Sequence, residues 1–212
     1  GRLQYRSKPL CVETIRAEIQ QTLATFDCTG AETIVAPGVQ SADPHARGEG
    51  IVSAGEPIVI DIFPRSVRTG YWGDLTRTVV KGRAGKKVRK MYAAVCAAQR
   101  AALNRIQAGI PAAAVHQAAV DLFEHRGFVN STIRNRPAGF IHGTGHGVGL
   151  DIHEAPSLSR KQTSPLQAGQ VVTVEPGLYY PGVGGIRMED TVIVTRRGWK
   201  MLADCPRPFE IP

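Results

Sequence analysis

Apolar residues recur at helical spacing in three segments of the chain. Residues 10–26 follow Pro9 and repeat large apolar side chains every three or four positions. Residues 86–107 are rich in alanine, the strongest helix former. A third segment opens at Pro111, carries one apolar stripe and ends near Gly127, as expected for a helix with proline in its first turn and glycine after its last. This pattern predicts three helices.

Apolar runs of strand length occur in two pairs. The first pair is "PIVIDIF" (57–63) and "YWGDLTRTVV" (71–80), joined by the turn-forming sequence "PRSVRTG". The second pair is "QVVTVEPGLYY" (170–180) and "GIRMEDTVIVT" (185–195), joined around "PGVGG". Each pair predicts a β-hairpin, and the shorter run "ETIVAP" predicts a further strand before the first hairpin. Helices and hairpins therefore occur twice along the chain, which predicts an α+β fold with two similar halves.

An acidic residue occurs on each strand of both predicted hairpins. These residues are Asp61 and Asp74 in the first half and Glu175 and Glu189 in the second. Glu175 follows Asp61 by 114 positions and Glu189 follows Asp74 by 115, so the offset between the halves is nearly constant. This layout suggests an internal duplication in which the two hairpins are related by a pseudo-twofold axis. The duplication predicts that the four carboxylates converge between the halves.

The position of these acids in apolar strands suggests a metal site. A buried carboxylate is costly unless it is hydrogen-bonded, paired with a cation or bound to a metal ion, and aspartate is uncommon in strands. For a single acid, the simpler explanation is a cap at a strand end or an ion pair with Arg77 or Arg187. Four crowded carboxylates repel one another and raise one another's pKa values. A pair of divalent cations would neutralise them.

The stretch "GFIHGTGHGVGLDIHEAP" (139–156) has glycine at every second position from 143 to 149 and contains three histidines. In an extended strand, His142, Thr144 and His146 would share one face and the glycines the other. A glycine face lets another backbone or a substrate approach closely, and it disfavours the helical HExxH type of zinc site. One imidazole of this stretch can complete a metal site. His116, on the third predicted helix, is expected to be an ordinary core or surface residue.

Length and composition narrow the function classes. A chain of 212 residues suits one sizeable domain. It has no apolar run long enough to cross a membrane, and its first residues lack the apolar core of a signal peptide. We therefore expect a cytoplasmic protein without a membrane partner. The four cysteines are scattered along the chain, and this spacing indicates reduced thiols. The net charge of +8 is densest over residues 81–90, where a solvated helix end is a simpler interpretation than nucleic-acid binding.

Five segments of the sequence resemble a known family. "IVIDIFPR", "GYWGDLTRT", "HGTGHGVGLDIHE", "VVTVEPGLYY" and "GGIRMEDT" occur in the order typical of the pita-bread metallopeptidases (M24). This family contains methionine aminopeptidase, aminopeptidase P and prolidase, with creatinase as a metal-free relative. The resemblance extends over nearly the whole chain. It implies the pita-bread fold, an α+β fold with two pseudo-twofold-related helix-plus-hairpin halves around a curved antiparallel sheet.

The resemblance also implies a dinuclear metal centre. Matched position by position, its ligands would be Asp61, Asp74, His146, Glu175 and Glu189. Asp74 and Glu189 would bridge two divalent ions, Asp61 would bind one ion, and His146 and Glu175 would bind the other. This oxygen-rich set suits manganese, cobalt, iron or zinc. Because every position holds a residue able to coordinate, the resemblance favours an active enzyme over a degenerate binding module.

The same resemblance implies roles for the residues around the metal ions. Glu175 would take a proton from the attacking water and pass it to the leaving nitrogen. His142 would lie beside the scissile carbonyl, and His45 and His153 would line the substrate site. Either His142 or His153 would stabilise the developing oxyanion. Arg187 would organise the site or meet the substrate carboxylate, with a structural ion pair as an equal alternative.

Within the family, "GLDIHEAP" and "GGIRMEDT" resemble the proline-specific branch. They imply an exopeptidase that hydrolyses the bond between an N-terminal residue and proline in a peptide or dipeptide, by means of a metal-activated bridging water. Methionine aminopeptidase and a non-catalytic module that binds peptide or protein are the alternatives. Arg77 is expected to have a structural role.

The sequence departs from the family pattern in two ways. Asp61 and Asp74 are 13 positions apart, slightly wider than usual, and the longer turn between them should absorb the difference. From the resemblance, we expect the chain to lack the separate N-terminal domain of aminopeptidase P and prolidase and the helix that usually opens the catalytic domain. The chain is therefore expected to be a single catalytic domain over residues 1–212. Because the N-terminal domain contributes to dimerisation and closes the substrate site, formation of a homodimer and the length of the substrate stay open.

Overall fold

The structure, a computed structural model, describes residues 1–30 and 32–212. Its α-helices are α1 (Val12–Thr25), α2 (Lys86–Leu103) and α3 (Ala112–His125), and a 3₁₀ helix spans Gly38–Ala42. The strands over these residues are, in chain order, β1 (Gln4–Tyr5), β2 (Lys8–Pro9), β3 (Cys28–Thr29), β4 (Ile34–Pro37), β5 (Ile58–Ile62), β6 (Arg65–Ser66), β7 (Leu75–Lys81), β8 (Ser131–Ile133), β9 (Arg136–Ala138), β10 (Gly145–Gly147), β11 (Glu154–Leu158), β12 (Val171–Val174), β13 (Gly177–Tyr180), β14 (Gly184–Arg187), β15 (Asp190–Thr195), β16 (Gly198–Met201) and β17 (Glu210–Ile211). No helix in the described part of the chain has the length and apolar character that a membrane crossing requires.

The three predicted helices are present, and one is shorter than predicted. α2 ends at Leu103 rather than at residue 107. The residues that follow form turns, in which Ile106 is still buried. The apolar pattern continues past the end of the helix because the turn also packs against the core.

The strands of the second predicted hairpin are each interrupted in the middle. The run 170–180 divides into β12 and β13 around Glu175 and Pro176, and the run 185–195 divides into β14 and β15 around Met188 and Glu189. Proline has no N–H group for a ladder of backbone hydrogen bonds, which helps to end β12. β13 then pairs with β14 in one sheet, and β12 pairs with β15 in another. The hairpin is confirmed, but its acids lie at breaks between strands rather than inside them.

Each half of the molecule contains three antiparallel strands in the same order. In the first half, β4 pairs with β5 and β5 with β7, while β17 adds to β7 in parallel. In the second half, β10 pairs with β12 and β12 with β15, and β11 and β16 form the two edges. Helix α1 precedes the first set and α3 the second. This shared order agrees with the predicted duplication.

Two apolar clusters support these sheets. The larger one contains side chains from α2, α3 and the second-half strands, among them Met91, Val95, Val115, Phe123 and Val172. A smaller cluster contains Val12, Val35, Val52 and Ile58, next to α1. Full burial of a side chain of this size contributes about 1.5–3 kcal/mol. The clusters therefore hold both hairpins firmly where their acidic residues meet.

The two halves are joined by hydrogen bonds between β7 and the segment 187–191. The backbone N–H of Glu189 donates to the carbonyl oxygen of Thr76 (3.1 Å). The hydroxyl of Thr78 donates to the carbonyl of Arg187 (2.8 Å) and accepts from its backbone N–H (3.0 Å). The hydroxyl of Thr191 donates to the carbonyl of Asp74 (2.8 Å). This seam brings the acids of the two halves together.

Candidate metal centre and substrate cavity

A cavity of about 360 Å³ lies at the seam between the two halves. All nine residues that the sequence singled out for the site line it, and they are His45, Asp61, Asp74, His142, His146, His153, Glu175, Arg187 and Glu189. Ile34, Phe63 and Ile152 add apolar surface. The predicted convergence of the four carboxylates is therefore confirmed, and we call this space the metal-centre cavity.

The acidic residues are positioned by the strands that border the seam. Asp61 lies in β5, opposite Thr76 of β7, and Asp74 immediately precedes β7. Glu175 follows β12, and its backbone N–H donates to the carbonyl of Thr144 (2.8 Å). The carboxylate of Glu189 accepts a hydrogen bond from the Thr76 hydroxyl (2.7 Å). Backbone pairing thus determines where each carboxylate points.

His146 lies at the centre of the acidic cluster. Its Nδ1 is 3.0 Å from the carbonyl oxygen of Gly147, which can only accept, so Nδ1 carries the proton in this contact. In the neutral ring, Nε2 then has a lone pair, and it faces Glu175 Oε1 at 3.4 Å and Asp74 Oδ2 at 3.6 Å. Asp74, His146 and Glu189 each offer a ligand atom, all within 4.8 Å of one another. Lone pairs that face one another in this way require a proton or a cation between them.

Burial and mutual repulsion raise the pKa values of these carboxyl groups. Burial, followed by the charges of Asp61 and Glu175, raises the pKa of Asp74 to about 9. Burial, and then the charge of Asp61, raises the pKa of Glu175 to about 7 against the opposing effect of Arg187. Burial and the charges of the other three acids raise the pKa of Glu189 well above its ordinary value. Without cations, the cluster therefore retains protons at neutral pH.

Asp61 gives an independent indication that the site suits a cation. Its Oδ2 accepts a hydrogen bond from Arg187 Nη2 at 2.6 Å. Its Oδ1 is buried and has no hydrogen-bond partner among the described residues. A buried oxygen without a partner costs about 1–3 kcal/mol. Together with the other carboxylates and one imidazole, this oxygen completes a donor set that fits hard or borderline divalent metal ions.

Arg187 is a buried organiser of the cavity. Its guanidinium donates to Asp61 Oδ2, to the Thr76 hydroxyl (3.1 Å), to the Tyr179 hydroxyl (2.9 Å) and to the carbonyl of Pro44 (3.2 Å). Only 3% of the residue is exposed. Of the predicted alternatives, the structure contains the ion pair and the organising contacts, because every side-chain nitrogen already has a partner.

His142 and His153 differ in how firmly neighbouring groups hold their rings. His142 Nδ1 contacts the carbonyl of Gly143 (2.7 Å), and its Nε2 is 2.9 Å from the Tyr179 hydroxyl. Burial, and then the charge of Arg187, lowers the pKa of His142, so its ring is neutral. His153 is exposed and contacts the ring of His146, with 4.2 Å between the centroids. Sequence reasoning missed Tyr179, whose only signal was a polar tip in an apolar strand.

The glycines of residues 143–149 allow close packing of backbones. A side chain at Gly145 would overlap the carbonyl of Thr173, and one at Gly147 would overlap that of Ala155. The predicted alternation of faces is wrong for Thr144, which is buried and contacts His116 Nδ1 through its hydroxyl (3.0 Å) rather than lining the cavity. The reason is that only residues 145–147 form a strand and the backbone bends before them.

A polar network behind the metal-centre cavity was not predicted from the sequence. The Gln99 side-chain amide, on α2, donates to the carbonyls of Val174 (3.0 Å) and Met188 (3.3 Å) and to Asp190 Oδ2 (2.9 Å). Arg207 donates to the same Asp190 oxygen (2.5 Å) and to Gln99 Oε1 (3.0 Å). The network therefore supports the residues that directly precede Glu175 and Glu189. Its only sequence signal was a glutamine in an alanine-rich helix.

Arg77 belongs to the same network. It donates to Asp190 Oδ1 (2.8 Å) and to the carbonyl of Glu189 (2.6 Å), and it does not line the metal-centre cavity. The predicted structural role of Arg77 is confirmed.

Comparison with known proteins supports the geometry. Residues 12–196 match the model of metallopeptidase family M24. The chain is 37% identical to the Xaa-Pro dipeptidase of Pyrococcus furiosus over 177 residues. This match covers 83% of the chain and 48% of the relative. The chain therefore spans about half the length of the curated relatives that it matches.

Solved structures give the same result. Prolidase from Pyrococcus furiosus superposes with a TM-score of 0.84 at 34% identity, covering 92% of this chain and 56% of that one. The X-Pro aminopeptidase from Thermotoga maritima gives a TM-score of 0.86 at 33% identity, covering 95% and 56%. These neighbours confirm the predicted pita-bread fold. With its matched segment, its fold and its cluster of acids and histidines, the chain belongs to metallopeptidase family M24.

Proposed function

We propose that the chain carries the catalytic site of a dinuclear metal exopeptidase that hydrolyses the bond between an N-terminal residue and proline. The observation that carries the proposal is the convergence of four carboxylates and His146 on one cavity with raised carboxyl pKa values and an unpartnered Asp61 oxygen. The names of the relatives, Xaa-Pro dipeptidase and X-Pro aminopeptidase, support proline at the second position of the substrate.

Five side chains are available to hold two divalent ions, with manganese, cobalt, iron or zinc as candidates. Asp74 and Glu189 come from opposite halves and offer ligand atoms within 4.8 Å of each other at the seam, so both would hold the ions. Asp61 would serve one ion, and His146 and Glu175 the other. When bound, such ions polarise a scissile carbonyl and lower the pKa of water.

The protein's own groups then supply the proton transfers and the orientation. Glu175 is the side chain that takes the proton of the attacking water and delivers it to the proline nitrogen. His153 is exposed in the cavity and has no hydrogen bond to another described residue, so its ring is free to donate to the scissile carbonyl oxygen. His142 is held by Gly143 and Tyr179 and orients the wall beside it.

Recognition of proline has to rely on shape. The nitrogen of an Xaa-Pro bond carries no hydrogen, so no acceptor in the protein can select it. Phe63 and Ile152 provide apolar surface next to His45 and His153, which suits the ring of a proline side chain. The free amino group of the substrate would lie at the acidic end of the cavity, which makes the enzyme an exopeptidase.

Metal analysis combined with a peptide assay tests the proposal. The folded chain is loaded with Mn²⁺, and release of the first residue is measured with short peptides that begin Arg-Pro or Met-Ala. We expect cleavage of the Arg-Pro peptide and little or none of the Met-Ala peptide. Preference for Met-Ala would indicate a methionine aminopeptidase specificity. A metal-loaded, folded sample that cleaves neither would indicate a module that only binds peptide.

A further inference from the structure

A second cavity adjoins the metal-centre cavity. It has a volume of about 510 Å³ and shares Pro44, His45 and His142 with the metal-centre cavity. The rest of its lining consists of Ala42, Asp43, Arg136, Pro137, Ile141 and Pro181. We call this space the outer cavity. A peptide that extended from the metal centre past His45 and His142 would enter it.

Positive charge is distributed unevenly between the two cavities. Among the described residues, Arg187 is the only lysine or arginine that lines the metal-centre cavity, and its guanidinium is already bonded to Asp61, Thr76, Tyr179 and Pro44. Arg136, in the outer cavity, is exposed and makes no hydrogen bond or ion pair with another described residue. The cationic side chain that is free to meet an anion therefore lies in the outer cavity.

The length of a substrate decides where its carboxylate lies. In an Xaa-Pro dipeptide the carboxylate belongs to the proline, directly next to the scissile bond. Each further residue moves the carboxylate along by one Cα–Cα step of about 3.8 Å. In a tripeptide the carboxylate therefore lies one such step farther from the scissile bond.

We infer that the outer cavity binds the residues that follow proline and that Arg136 pairs with the C-terminal carboxylate of a tripeptide. This inference rests on the proposed Xaa-Pro hydrolysis and specifies its substrates as peptides of three or more residues. Asp43 is the other charged residue in the outer cavity, and its Oδ1 accepts a hydrogen bond from the backbone N–H of His45 (2.9 Å). Its negative charge repels an anion at that end, which leaves Arg136 as the carboxylate-binding group.

Steady-state kinetics with three matched substrates tests the inference. The Mn²⁺-loaded chain and its R136Q variant are assayed with Ala-Pro, Ala-Pro-Ala and Ala-Pro-Ala-NH₂. For the unmodified chain we expect kcat/KM to be highest for the tripeptide acid, by roughly threefold to tenfold over its amide, as for an exposed charge-assisted hydrogen bond. In R136Q the preference for the acid over the amide should disappear, mainly through a rise in KM for the acid.

R134Q is the matched control, because Arg134 carries the same charge on the same hairpin but does not line either cavity. It should retain the preference for the acid. Equal rates for acid and amide in the unmodified chain, or an equal loss in R134Q, would overturn the role of Arg136. Faster cleavage of Ala-Pro than of Ala-Pro-Ala would overturn the assignment of substrate length.

Failure of the proposed function is distinguishable from failure of this inference. If no Xaa-Pro peptide is cleaved, the proposed function is wrong. In that case, calorimetric titration of the folded chain with Pro-Ala and Pro-Ala-NH₂ tests the outer cavity directly. Tighter binding of the acid that is lost in R136Q supports the carboxylate site, and equal binding of the two refutes it.

Discussion

The two ends of the metal-centre cavity are built differently. At the inner end, Glu189 is 1% exposed, and its backbone N–H, its carbonyl and its carboxylate each have a partner. At the outer end, His45 and His153 are exposed, and the ring of neither forms a hydrogen bond with another described residue. The fold thus holds the proposed metal ligands in place and leaves the proposed substrate contacts adjustable. Changes at the inner end should therefore affect metal binding, and changes at the outer end should affect specificity.

The largest expected effect follows removal of Glu189. In Glu189→Ala, metal content and turnover of an Xaa-Pro peptide should fall together, because the Glu189 carboxylate is proposed to bind metal together with acidic residues of both halves. Activity should drop by more than the 10- to 100-fold that is typical when a residue only supports a ligand. Metal analysis of the purified protein and kinetics measure both. Glu124→Ala, an exposed change on α3, is the control. Full turnover in Glu189→Ala would show that it is not a ligand.

The next effect concerns the network behind the ligands. In Gln99→Met, a side chain of similar shape replaces the donor to the carbonyls of Val174 and Met188. Metal affinity should weaken by about 10- to 100-fold, while kcat at saturating metal stays close to that of the unmodified chain. Titration of the metal-free protein with Mn²⁺ measures the affinity.

Gln117→Met is the control for this change, because Gln117 lies on the surface of α3 and, within the described part of the chain, its side chain bonds only to Asp121. A loss of folding stability in Gln99→Met without any change of metal affinity would show that Gln99 stabilises the core alone.

A smaller effect is expected from the hydroxyl that links Arg187 to His142. Tyr179→Phe removes the group that accepts from Arg187 Nη1 and contacts His142 Nε2. Loss of these two contacts should lower kcat by about threefold to tenfold with metal content unchanged. Tyr180→Phe is the matched control, since the adjacent hydroxyl has no hydrogen bond to another described residue. Equal effects of the two variants would exclude the proposed link.

The smallest effect is a pH dependence of stability in the metal-free protein. The pKa of Asp74 is raised to about 9 in the folded state, so Asp74 keeps its proton at pH 7 while the unfolded chain has lost it. This contribution to stability is present at low pH and is lost as the pH rises through 9. Between pH 7 and 8.5 the free energy of unfolding should fall by up to about 1.4 kcal/mol per pH unit for each retained proton.

Thermal unfolding in EDTA and in Mn²⁺ measures this slope. Saturating metal should replace the retained protons and flatten the dependence, and Asp74→Asn should reduce it without metal. A metal-free protein whose Tm stays constant between pH 7 and 8.5 would contradict the crowding of the four carboxylates.

Sequence patterns predicted the helices, the hairpins and the four carboxylates, and the resemblance to a known family assigned roles to the histidines and Arg187; neither indicated Tyr179. The apolar run around Asp61 and the glycine-rich run around His146 depend on neighbours within a few positions, and such local constraints are visible in a single sequence. The resemblance to a known family then joined segments more than 100 positions apart. The predicted direction of Thr144 failed because it assumed a regular strand where the backbone bends.

The amino-acid sequence by itself determined which side chains are the candidates for the site: four carboxylates at equivalent positions, and histidines in a glycine-rich run. Only the tertiary structure decided their partners. The breaks beside Glu175 and Glu189, the four contacts of Arg187 and the support from Gln99 arise between residues that are distant in the chain. Such contacts depend on how the packed sheets meet, and no local periodicity or spacing in the sequence indicates that packing.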